Sequence, residues 1–265
     1  GIPVILLRDI IGHDEIIRTL TGAQASGRVA HAYLFSGPRG VGKMTAALAL
    51  ARALVCESPA GGDGCGECQA CGMADRGVHP DVIVISPEKA TVKISQVRDL
   101  IAGVRLGPVS GRFAVRIVDE ADTMTVEAAN SLLKTLEEPL PGVVIILVTT
   151  RPQAVLPTVV SRCQHMYFQT LLKHHVVQGM IRVTGAQEQD VLLAASLAGG
   201  SLGKALDLYS GGLSVRDRAW DLVRRLPDAG VEDMLALAAD LSGRKEEVAP
   251  LLEMMVLWFR DILLY

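Results

Sequence analysis

A seven-residue motif, Gly-Pro-Arg-Gly-Val-Gly-Lys at positions 37–43, constrains the fold of this chain more than any other stretch of its sequence. It follows an apolar run, Ala32–Ser36, and precedes an Ala- and Leu-rich run, Lys43–Val55, that contains neither Pro nor Gly. The first run predicts a buried strand and the second predicts a helix. In that setting the spacing G-x-x-x-x-G-K is typical of a loop that binds phosphate.

The chemistry of such a loop comes mostly from its backbone. Glycines let successive N–H groups turn toward a phosphate, the helix adds its positive N-terminal end, and the lysine supplies a charge for the outer phosphates. We therefore predict that the loop and the first helical residues contact a nucleotide. These residues are Gly37, Arg39, Gly40, Val41, Gly42, Lys43, Met44 and Thr45. The alternative is a glycine-rich turn with an exposed lysine.

The position after the lysine departs from the motif. A Ser or Thr is expected there because its hydroxyl holds Mg²⁺, but this chain has Met44. Thr45 comes one residue later, and since one helical step rotates a side chain by about 100°, its hydroxyl is predicted to face away from the metal. Mg²⁺ can keep several waters, so binding of ATP or ADP stays open, whereas hydrolysis by this chain is expected to be weak or absent.

Two carboxylates end a later apolar run, in which residues 115–120 read Val-Arg-Ile-Val-Asp-Glu. In phosphate-loop proteins an Asp at this place supports Mg²⁺, and a following Glu is suited to polarising a water molecule. Asp119 and Glu120 are therefore further candidates for the nucleotide site. The alternative is a solvated strand end.

Apolar runs alternate with helical stretches along residues 32–149. Four runs predict buried strands: Ala32–Ser36, Val82–Ile85, Ala114–Val118 and Val143–Thr149. Helices are predicted over residues 43–55, 95–104 and 126–138, and a loop over Glu57–Gly72. This alternation is typical of an α/β fold in which helices cover both faces of a parallel sheet. The aromatic content of only 4% favours that fold over a β-sandwich.

The remainder of the chain, from about Leu171, predicts only helices. Breaks are expected at Thr184–Gly185 and Gly199–Gly200. The last stretch, Leu251–Tyr265, is apolar around nearly its whole circumference and is expected to need burial. A length of 265 residues predicts one large domain or two to three small ones, and the chain is expected to stop inside a third, helical domain.

Four cysteines lie close together in one glycine-rich segment. Cys56, Cys65, Cys68 and Cys71 have the spacing C-x8-C-x2-C-x2-C. Four thiolates in one loop suit a closed tetrahedral zinc site that leaves no position for substrate. We therefore predict structural Zn²⁺, with an iron–sulfur cluster as the alternative because it uses the same ligands.

The charge balance limits the kinds of partner. Lys and Arg number 26 against 29 acidic residues, for a net charge of −3. A surface that binds nucleic acid usually has an excess of basic residues, so any DNA contact is expected to be weak, local or made through partners. No apolar run approaches the roughly 18 residues that span a bilayer, and Ile2–Leu7 is too short for a signal peptide. A cytoplasmic location with reduced cysteines is expected.

Several motifs together resemble one protein family. They are Arg28–Val41 (RVAHAYLFSGPRGV), the four-cysteine insertion, Ala129–Pro139 (ANSLLKTLEEP) and Val148–Gln164 (VTTRPQAVLPTVVSRCQ). Over about residues 10–168 the chain is similar to bacterial clamp-loader subunits, which belong to the AAA+ class of P-loop proteins. The resemblance implies a RecA-like αβα domain over residues 1–168 with a zinc module at 56–71, a helical lid over 169–208 and part of a helical collar over 209–265.

The resemblance also implies roles for residues outside the loop. Ser161-Arg162-Cys163 matches the SRC motif of clamp loaders. This implies that Arg162 is an arginine finger, which reaches the ATP of a neighbouring subunit and stabilises charge on the transferred phosphoryl group. The alternative is a surface arginine paired with a carboxylate. Thr149 and Thr150 fall in the sensor-1 region of the family, although threonine at a strand end is also ordinary.

Two branches of the family fit the sequence, the ATP-hydrolysing gamma/tau subunit and the delta-prime subunit. Residues 119–124 (DEADTM) and Val92–Leu100 (VKISQVRDL) look like delta prime, whereas gamma/tau has Val-His after its Asp-Glu pair. Gly203 stands where gamma/tau carries a sensing arginine in its lid, and Lys204 points elsewhere on the helix. The resemblance is therefore closer to delta prime, with gamma/tau as the alternative.

Membership of this family implies particular partners. The expected assembly is a heteropentamer with gamma/tau and delta subunits, in which this chain is a stator. The sliding clamp and primer–template DNA are expected to be contacted through the assembly, and no membrane contact is implied.

Overall fold

The computed structural model describes residues 5–103, 107–225 and 230–242, together with 248–249, 251–252, 255–256 and 258–259. A parallel sheet of five strands in the order β2-β3-β4-β1-β5 forms its centre. The strands are β1 (Ala32–Ser36), β2 (Val82–Ile85), β3 (Ala114–Val118), β4 (Val143–Thr149) and β5 (Gln164–Tyr167). The α/β prediction and the bounds of the first four strands are confirmed.

The fifth strand was not predicted from the sequence. It reads Gln-His-Met-Tyr, and only Met166 is buried, because β5 lies at an edge of the sheet beside β1. Strand β2 lies at the other edge and is partly exposed, with Val84 39% accessible. Val82–Ile85 was predicted to be a buried strand, and it is less buried than the central strands because it has a neighbouring strand on one side only.

Helices cover both faces of the sheet, as the alternating pattern predicts. Tyr33 and Phe35 of β1 face one core, which includes Leu50, whereas Leu34 faces the other core, which includes Leu132. The helices of this region are α1 (Asp14–Ala25), α2 (Lys43–Val55), α3 (Gln69–Asp75), α4 (Ile94–Ala102), α5 (Val126–Glu137) and α6 (Pro157–Val160). Their two layers fix the phosphate loop between β1 and α2.

Two of these helices differ from prediction. The segment Glu57–Gly72, expected to be a loop, contains the start of α3, whose first turn is capped by the Cys68 sulfur accepting the N–H of Cys71. Helix α4 begins at Ile94 and ends at Ala102. Val104, where the sequence placed its end, lies outside the described residues.

The chain after β5 is helical, as predicted. It forms α7 (Lys173–Thr184), α8 (Glu188–Leu197), α9 (Leu202–Arg225) and α10 (Val231–Ser242). The two predicted breaks separate α7 from α8 and α8 from α9. Helices α7, α8 and the start of α9 share a small core that includes Val176, Met180 and Val191.

Helix α9 runs without interruption through residues 208 and 209, the predicted boundary between lid and collar. The chain therefore leaves the region of α7 and α8 within a helix and not in a linker. Of the predicted helix Leu251–Tyr265, the described residues 251–252, 255–256 and 258–259 are helical, and the others lie outside the described residues. Ala219, Leu222 and Leu251 form a further apolar cluster.

Within the described part of the chain, no single helix has both the length and the apolar composition to cross a membrane. Helix α8 and the first half of α9 satisfy those criteria only as a pair, and they meet at a bend of 118°.

Candidate functional sites

The phosphate loop follows the carboxyl end of β1, which lies between β4 and β5 in the sheet. Ligands of open α/β sheets bind at the carboxyl ends of the strands. Gly37 and Gly40 adopt positive φ angles of 143° and 73°, in the region that favours glycine. A side chain at Gly37 would collide with the carbonyl oxygen of Phe168. The predicted loop is therefore present, and its glycines are required by conformation and by close contacts.

Lys43 is turned inward. Its Nζ donates to the carbonyl oxygens of Gly37 at 2.8 Å and Pro38 at 2.6 Å, and the residue is 6% exposed. Burial lowers the pKa of Lys43, and the charges of Asp119 and Asp122 oppose that shift. The ammonium group is therefore held by the start of its own loop, near enough to Asp119 and Asp122 to feel their charge.

The other loop residues have separate environments. Arg39 is exposed, and Val41 is buried with its carbonyl oxygen 2.9 Å from Nε2 of His13. Met44 and Thr45 are both half-buried, and Met44 packs against the core beneath α2. The methionine at the position of the magnesium-binding hydroxyl is thus part of the hydrophobic packing, and it offers no oxygen ligand.

The acidic pair after β3 is divided between two roles. Asp119 accepts the backbone N–H of Glu120 at 2.9 Å, which fixes its carboxylate at the strand end. Glu120 is exposed and has a φ of 46°, a left-handed conformation that is uncommon outside glycine. Asp119 is therefore held at the strand end, and Glu120 forms the sharp turn that follows.

Asp122, which was not predicted as a site residue, binds the polar residues at the end of β4. Its carboxylate accepts the hydroxyl of Thr149 at 2.6 Å and Nε of Arg151 at 2.9 Å. Burial would raise the pKa of Asp122, but these hydrogen bonds outweigh burial and hold the pKa below its usual value. Thr149 is only 1% exposed, and its hydroxyl donates its hydrogen bond within the chain.

The start of α9, where the sequence predicts a lid, rests directly on the phosphate loop. The N–H of Gly203 donates to the carbonyl oxygen of Gly40 at 2.9 Å. A Cβ on Gly203 would lie 3.0 Å from the Cα of Gly40, and a Cβ on Gly40 would collide with the Ser201 hydroxyl. The contact between residues 40 and 203 thus has room only for two glycines.

The four predicted zinc ligands come together. Their Sγ atoms all lie within 4.8 Å of one another, with the Cys56–Cys68 pair at 3.9 Å and the Cys65–Cys71 pair at 4.0 Å. Backbone N–H groups point at the sulfurs, from Cys65 to Cys56 and from Cys68 to Cys65, both at 3.3 Å. Hydrogen bonds from the backbone N–H groups of Glu67 and Cys68 lower the pKa of Cys65 to about 6, whereas burial raises the pKa values of Cys56 and Cys71.

This donor set fits zinc. Soft thiolates in a compact tetrahedral group are the ligands of a structural Zn²⁺ site, and no open position is left for a substrate. The group follows the C-terminal end of α2, a helix of 13 residues, and so lies about 20 Å from the phosphate loop. Cys163, the fifth cysteine, is half-buried, and burial raises its pKa to about 11.

The cysteine segment is anchored to the N-terminal end of the described chain. The carboxylate of Asp63 accepts the N–H groups of Leu7 at 3.1 Å and Arg8 at 3.0 Å. Buried Arg52 forms an ion pair with Asp75 and donates to the carbonyl oxygen of Ile5. Sequence reasoning missed both groups, since isolated charges of these types are usually solvated.

Arg162 lies apart from the phosphate loop, in the turn between α6 and β5. Its guanidinium donates to the carbonyl oxygen of Thr158 at 2.7 Å, the Ser161 hydroxyl at 3.3 Å and Oε1 of Glu137 at 2.7 Å. The side chain is 34% exposed. The structure does not bring Arg162 together with Lys43 or Asp119 through any described hydrogen bond.

Comparison with known proteins agrees with this geometry. Residues 12–172 match the family model described as DNA polymerase III, delta subunit. The chain is 34% identical to DNA polymerase III subunit tau of Bacillus subtilis over 97% of this chain and 50% of that protein. It is 36% identical to subunit delta' of the same organism over 67% of this chain and 52% of that protein. The chain thus spans about half the length of these relatives.

Solved structures show the same fold. A gamma subunit-related protein of Thermotoga maritima has a TM-score of 0.52 at 21% identity, over 91% of this chain and 77% of its own. The RuvB protein of the same organism has a TM-score of 0.57 at 16% identity, over 84% of this chain and 68% of its own. At these identities the likeness concerns the AAA+ fold alone. Since the family model covers more than half of the sequence, the chain belongs to the bacterial DNA polymerase III clamp-loader family.

Proposed function

We propose that this chain is a delta-prime-type stator of a clamp loader, which supplies Arg162 to ATP bound by a neighbouring subunit and turns over little or no ATP itself. The observation that carries the proposal is the setting of Arg162, a half-exposed guanidinium that makes no described contact with its own phosphate loop. A finger for another subunit must be held at the surface in this way. In other phosphate-loop systems such a guanidinium contributes about 10³ to 10⁵ in rate.

The surroundings of the phosphate loop support weak turnover in cis. Met44 offers no hydroxyl for Mg²⁺, so a nucleotide would be held by the loop N–H groups and Lys43, and Asp119 would support only a hydrated Mg²⁺. The Thr149 hydroxyl donates to Asp122 and is therefore not free to donate to a terminal phosphate. The loop is suited to holding ATP or ADP, and it lacks two groups that hydrolysis would use.

The contact between lid and loop supports a stator. A hydrogen bond joins the backbones of Gly203 and Gly40, and the space between them admits no side chain. A lid that rests on the loop by its own backbone does not depend on a nucleotide for its position. The neighbouring motor subunits would then move against a fixed partner.

The remaining assignments follow from family membership. Structural Zn²⁺ on the four cysteines would stabilise the segment after α2, which carries the anchors of the N-terminal residues. The proposed partners are gamma/tau and delta subunits in a heteropentamer, with the sliding clamp and primer–template DNA contacted through the assembly. A net charge of −3 agrees with indirect DNA contact. The proposed location is the cytoplasm, where replication takes place in bacteria.

A motor subunit of the gamma/tau type is the second candidate. The relative from Bacillus subtilis named tau aligns with 97% of this chain, whereas the delta' relative of that organism aligns with 67%. Rapid Mg²⁺-dependent hydrolysis of ATP by the isolated chain would favour this candidate over the stator.

The test of the finger uses an assembly in which the motor subunits carry alanine in place of their own SRC-type arginine, so that Arg162 is the only finger. Replacing Arg162 by Ala should leave assembly intact and lower ATP turnover by at least about 100-fold. Arg98→Ala, which removes an exposed arginine on α4, is the control and should change nothing. Unchanged turnover in the Arg162→Ala assembly would remove the proposed role.

A further inference from the structure

Glu137 occupies an electrostatically unfavourable place. It is the last residue of α5, where the helix carbonyls carry partial negative charge and a carboxylate is disfavoured. Its Oε1 lies 2.7 Å from Nη2 of Arg162, and this is the one described ion pair of that arginine. The pair offsets the cost of the position, which indicates that the carboxylate is there because of Arg162.

The guanidinium of Arg162 uses only some of its N–H groups in hydrogen bonds within the chain. Of its five N–H donors, two on Nη1 bond the Thr158 carbonyl and the Ser161 hydroxyl, and one on Nη2 bonds Glu137. The Nε–H and the second Nη2–H take part in no described hydrogen bond. Guanidinium N–H groups bind phosphate oxygens well, so the contacts within the chain leave two donors of Arg162 available to a phosphate.

The distance between the two residues is set by the core beneath them. Leu136, next to Glu137, and Val159 of α6 are buried in the same hydrophobic cluster. Val160 and Cys163, on either side of Arg162 in the chain, pack against that cluster as well. The backbones that carry Glu137 and Arg162 are therefore fixed, and the hydrogen bond between them decides where the flexible guanidinium points.

We propose that Glu137 is a positioning residue for Arg162: its carboxylate holds Nη2 so that Nε–H and the free Nη2–H face the triphosphate of the neighbouring subunit. This inference rests on the proposed function of Arg162. Without Glu137 the contacts on Nη1 would remain, but Nη2 would lose its anchor and the guanidinium would populate other rotamers. A misplacement of about 1 Å at a reacting centre can cost up to about 100-fold in rate.

The test compares substitutions in the assembly where Arg162 is the only finger. Glu137→Ala should lower kcat for ATP by about tenfold with little change in KM, because the finger acts in the transition state. Glu137→Gln should stay within about twofold of the parent chain, since its amide oxygen accepts the same hydrogen bond. Glu138→Ala removes an adjacent exposed carboxylate that takes part in no described ion pair, and it should have no effect.

A double substitution separates positioning from a general effect of charge. In the Arg162→Ala background, Glu137→Ala should cause no further loss, because its effect passes through Arg162. If Glu137→Ala leaves turnover unchanged while Arg162→Ala abolishes it, the inference is wrong and the finger stands. A rise in turnover with Glu137→Ala would also overturn it, since the carboxylate would then be restraining the finger.

A second readout does not depend on the assembly. Rotation about the Cζ–Nε bond of Arg162, measured by NMR on the isolated chain, should be slow in the parent and in Glu137→Gln and fast in Glu137→Ala. If Arg162→Ala leaves turnover unchanged, the proposed function fails, and this measurement alone decides whether Glu137 holds the guanidinium. Equal rotation rates in the three chains would overturn the inference.

Discussion

The two ends of helix α2 carry two sites that are built in opposite ways. At its C-terminal end, all four sulfurs of the cysteine cluster come from residues 56–71, a single short segment. At its N-terminal end, the groups around the phosphate loop come from distant parts of the chain. They are His13 before α1, Asp119 and Asp122 after β3, Thr149 at the end of β4, and Gly203 in the lid.

This difference determines what each site depends on. A cluster whose ligands are local can form whenever its segment binds metal, whatever the rest of the chain does. A loop whose neighbours come from several elements depends on all of them, so its chemistry can change while its own motif stays intact. The cysteine segment is therefore expected to respond most strongly to metal, and the phosphate loop to substitutions that lie far from it in sequence.

The largest effect is expected from removing the metal. Chelation, or Cys71→Ser, should abolish binding of one zinc per chain, and structural zinc contributes about 10 kcal/mol or more in small zinc-finger peptides. Hydrogen exchange should then show lost amide protection in residues 56–75 and at Leu7 and Arg8, which donate to Asp63. Cys163→Ser, outside the cluster, is the control.

Protection at Gly203 should persist after chelation if the two ends of α2 are independent. Equal loss of amide protection at Gly203 and in residues 56–75 would show that the two sites are not independent. Metal analysis that finds iron, or no metal, would contradict the assignment of zinc.

A smaller effect is expected at Asp122. Asp122→Asn removes the charge that accepts the Thr149 hydroxyl and Nε of Arg151. Because both bonds are charge-assisted, we expect the free energy of unfolding in urea to fall by about 1 to 3 kcal/mol. Glu120→Gln, at an exposed position of the same turn, should change it little. A neutral result for Asp122→Asn would show that Thr149 is not tied to this carboxylate.

The contact between lid and loop can be tested with a pair of glycines. Gly203→Ala places a Cβ 3.0 Å from the Cα of Gly40, and overpacking of this kind should lower the free energy of unfolding by about 1 to 2 kcal/mol. Gly22→Ala in α1 meets no atom within 4 Å and should raise it by about 0.5 to 1 kcal/mol. Stabilisation by both substitutions would mean that the lid does not rest on the loop as described.

The smallest effect is expected from pH. Burial lowers the pKa of His13, opposed by the hydrogen bond to Val41, while His175 lowers it further and Asp14 raises it. The unfolded chain therefore binds a proton more readily than the folded one, and this contribution to stability is present above about pH 6.5 and lost as the pH falls.

Unfolding by urea between pH 5 and 7.5 measures this contribution. The parent chain should lose more stability than His13→Gln on acidification, because only the parent carries an imidazole that must be protonated against burial. His174→Gln, at an exposed position, should follow the parent chain. Identical profiles for the parent and His13→Gln would contradict the role of burial at this histidine.

A site built from one short segment is easier to predict from sequence than a site whose residues come from distant parts of the chain. The strand–loop–helix unit and the four cysteines depend on short-range patterns, and the structure confirms both. Asp122 could not be found in this way, because its importance comes from Thr149 and Arg151, which lie 27 and 29 residues further along the chain. Strand β5 was missed because an edge strand with one buried residue carries no apolar run.

Only part of the contact between Gly203 and Gly40 could be predicted from the sequence. The sequence shows a glycine at position 203, but it does not show that this glycine touches Gly40, because the packing of one domain on another leaves no local pattern. The predicted division at residue 208 falls inside α9 for the same reason, since helix continuity there is set by packing in the folded chain.

The central claim is that this chain lends a guanidinium in trans while its own phosphate loop contributes little to turnover. The most direct measurement compares Lys43→Ala with Arg162→Ala in the assembly where Arg162 is the only finger. The account predicts ATP turnover within about twofold of the parent for Lys43→Ala and at least about 100-fold lower for Arg162→Ala. The reverse pattern, with turnover lost in Lys43→Ala and kept in Arg162→Ala, would contradict it.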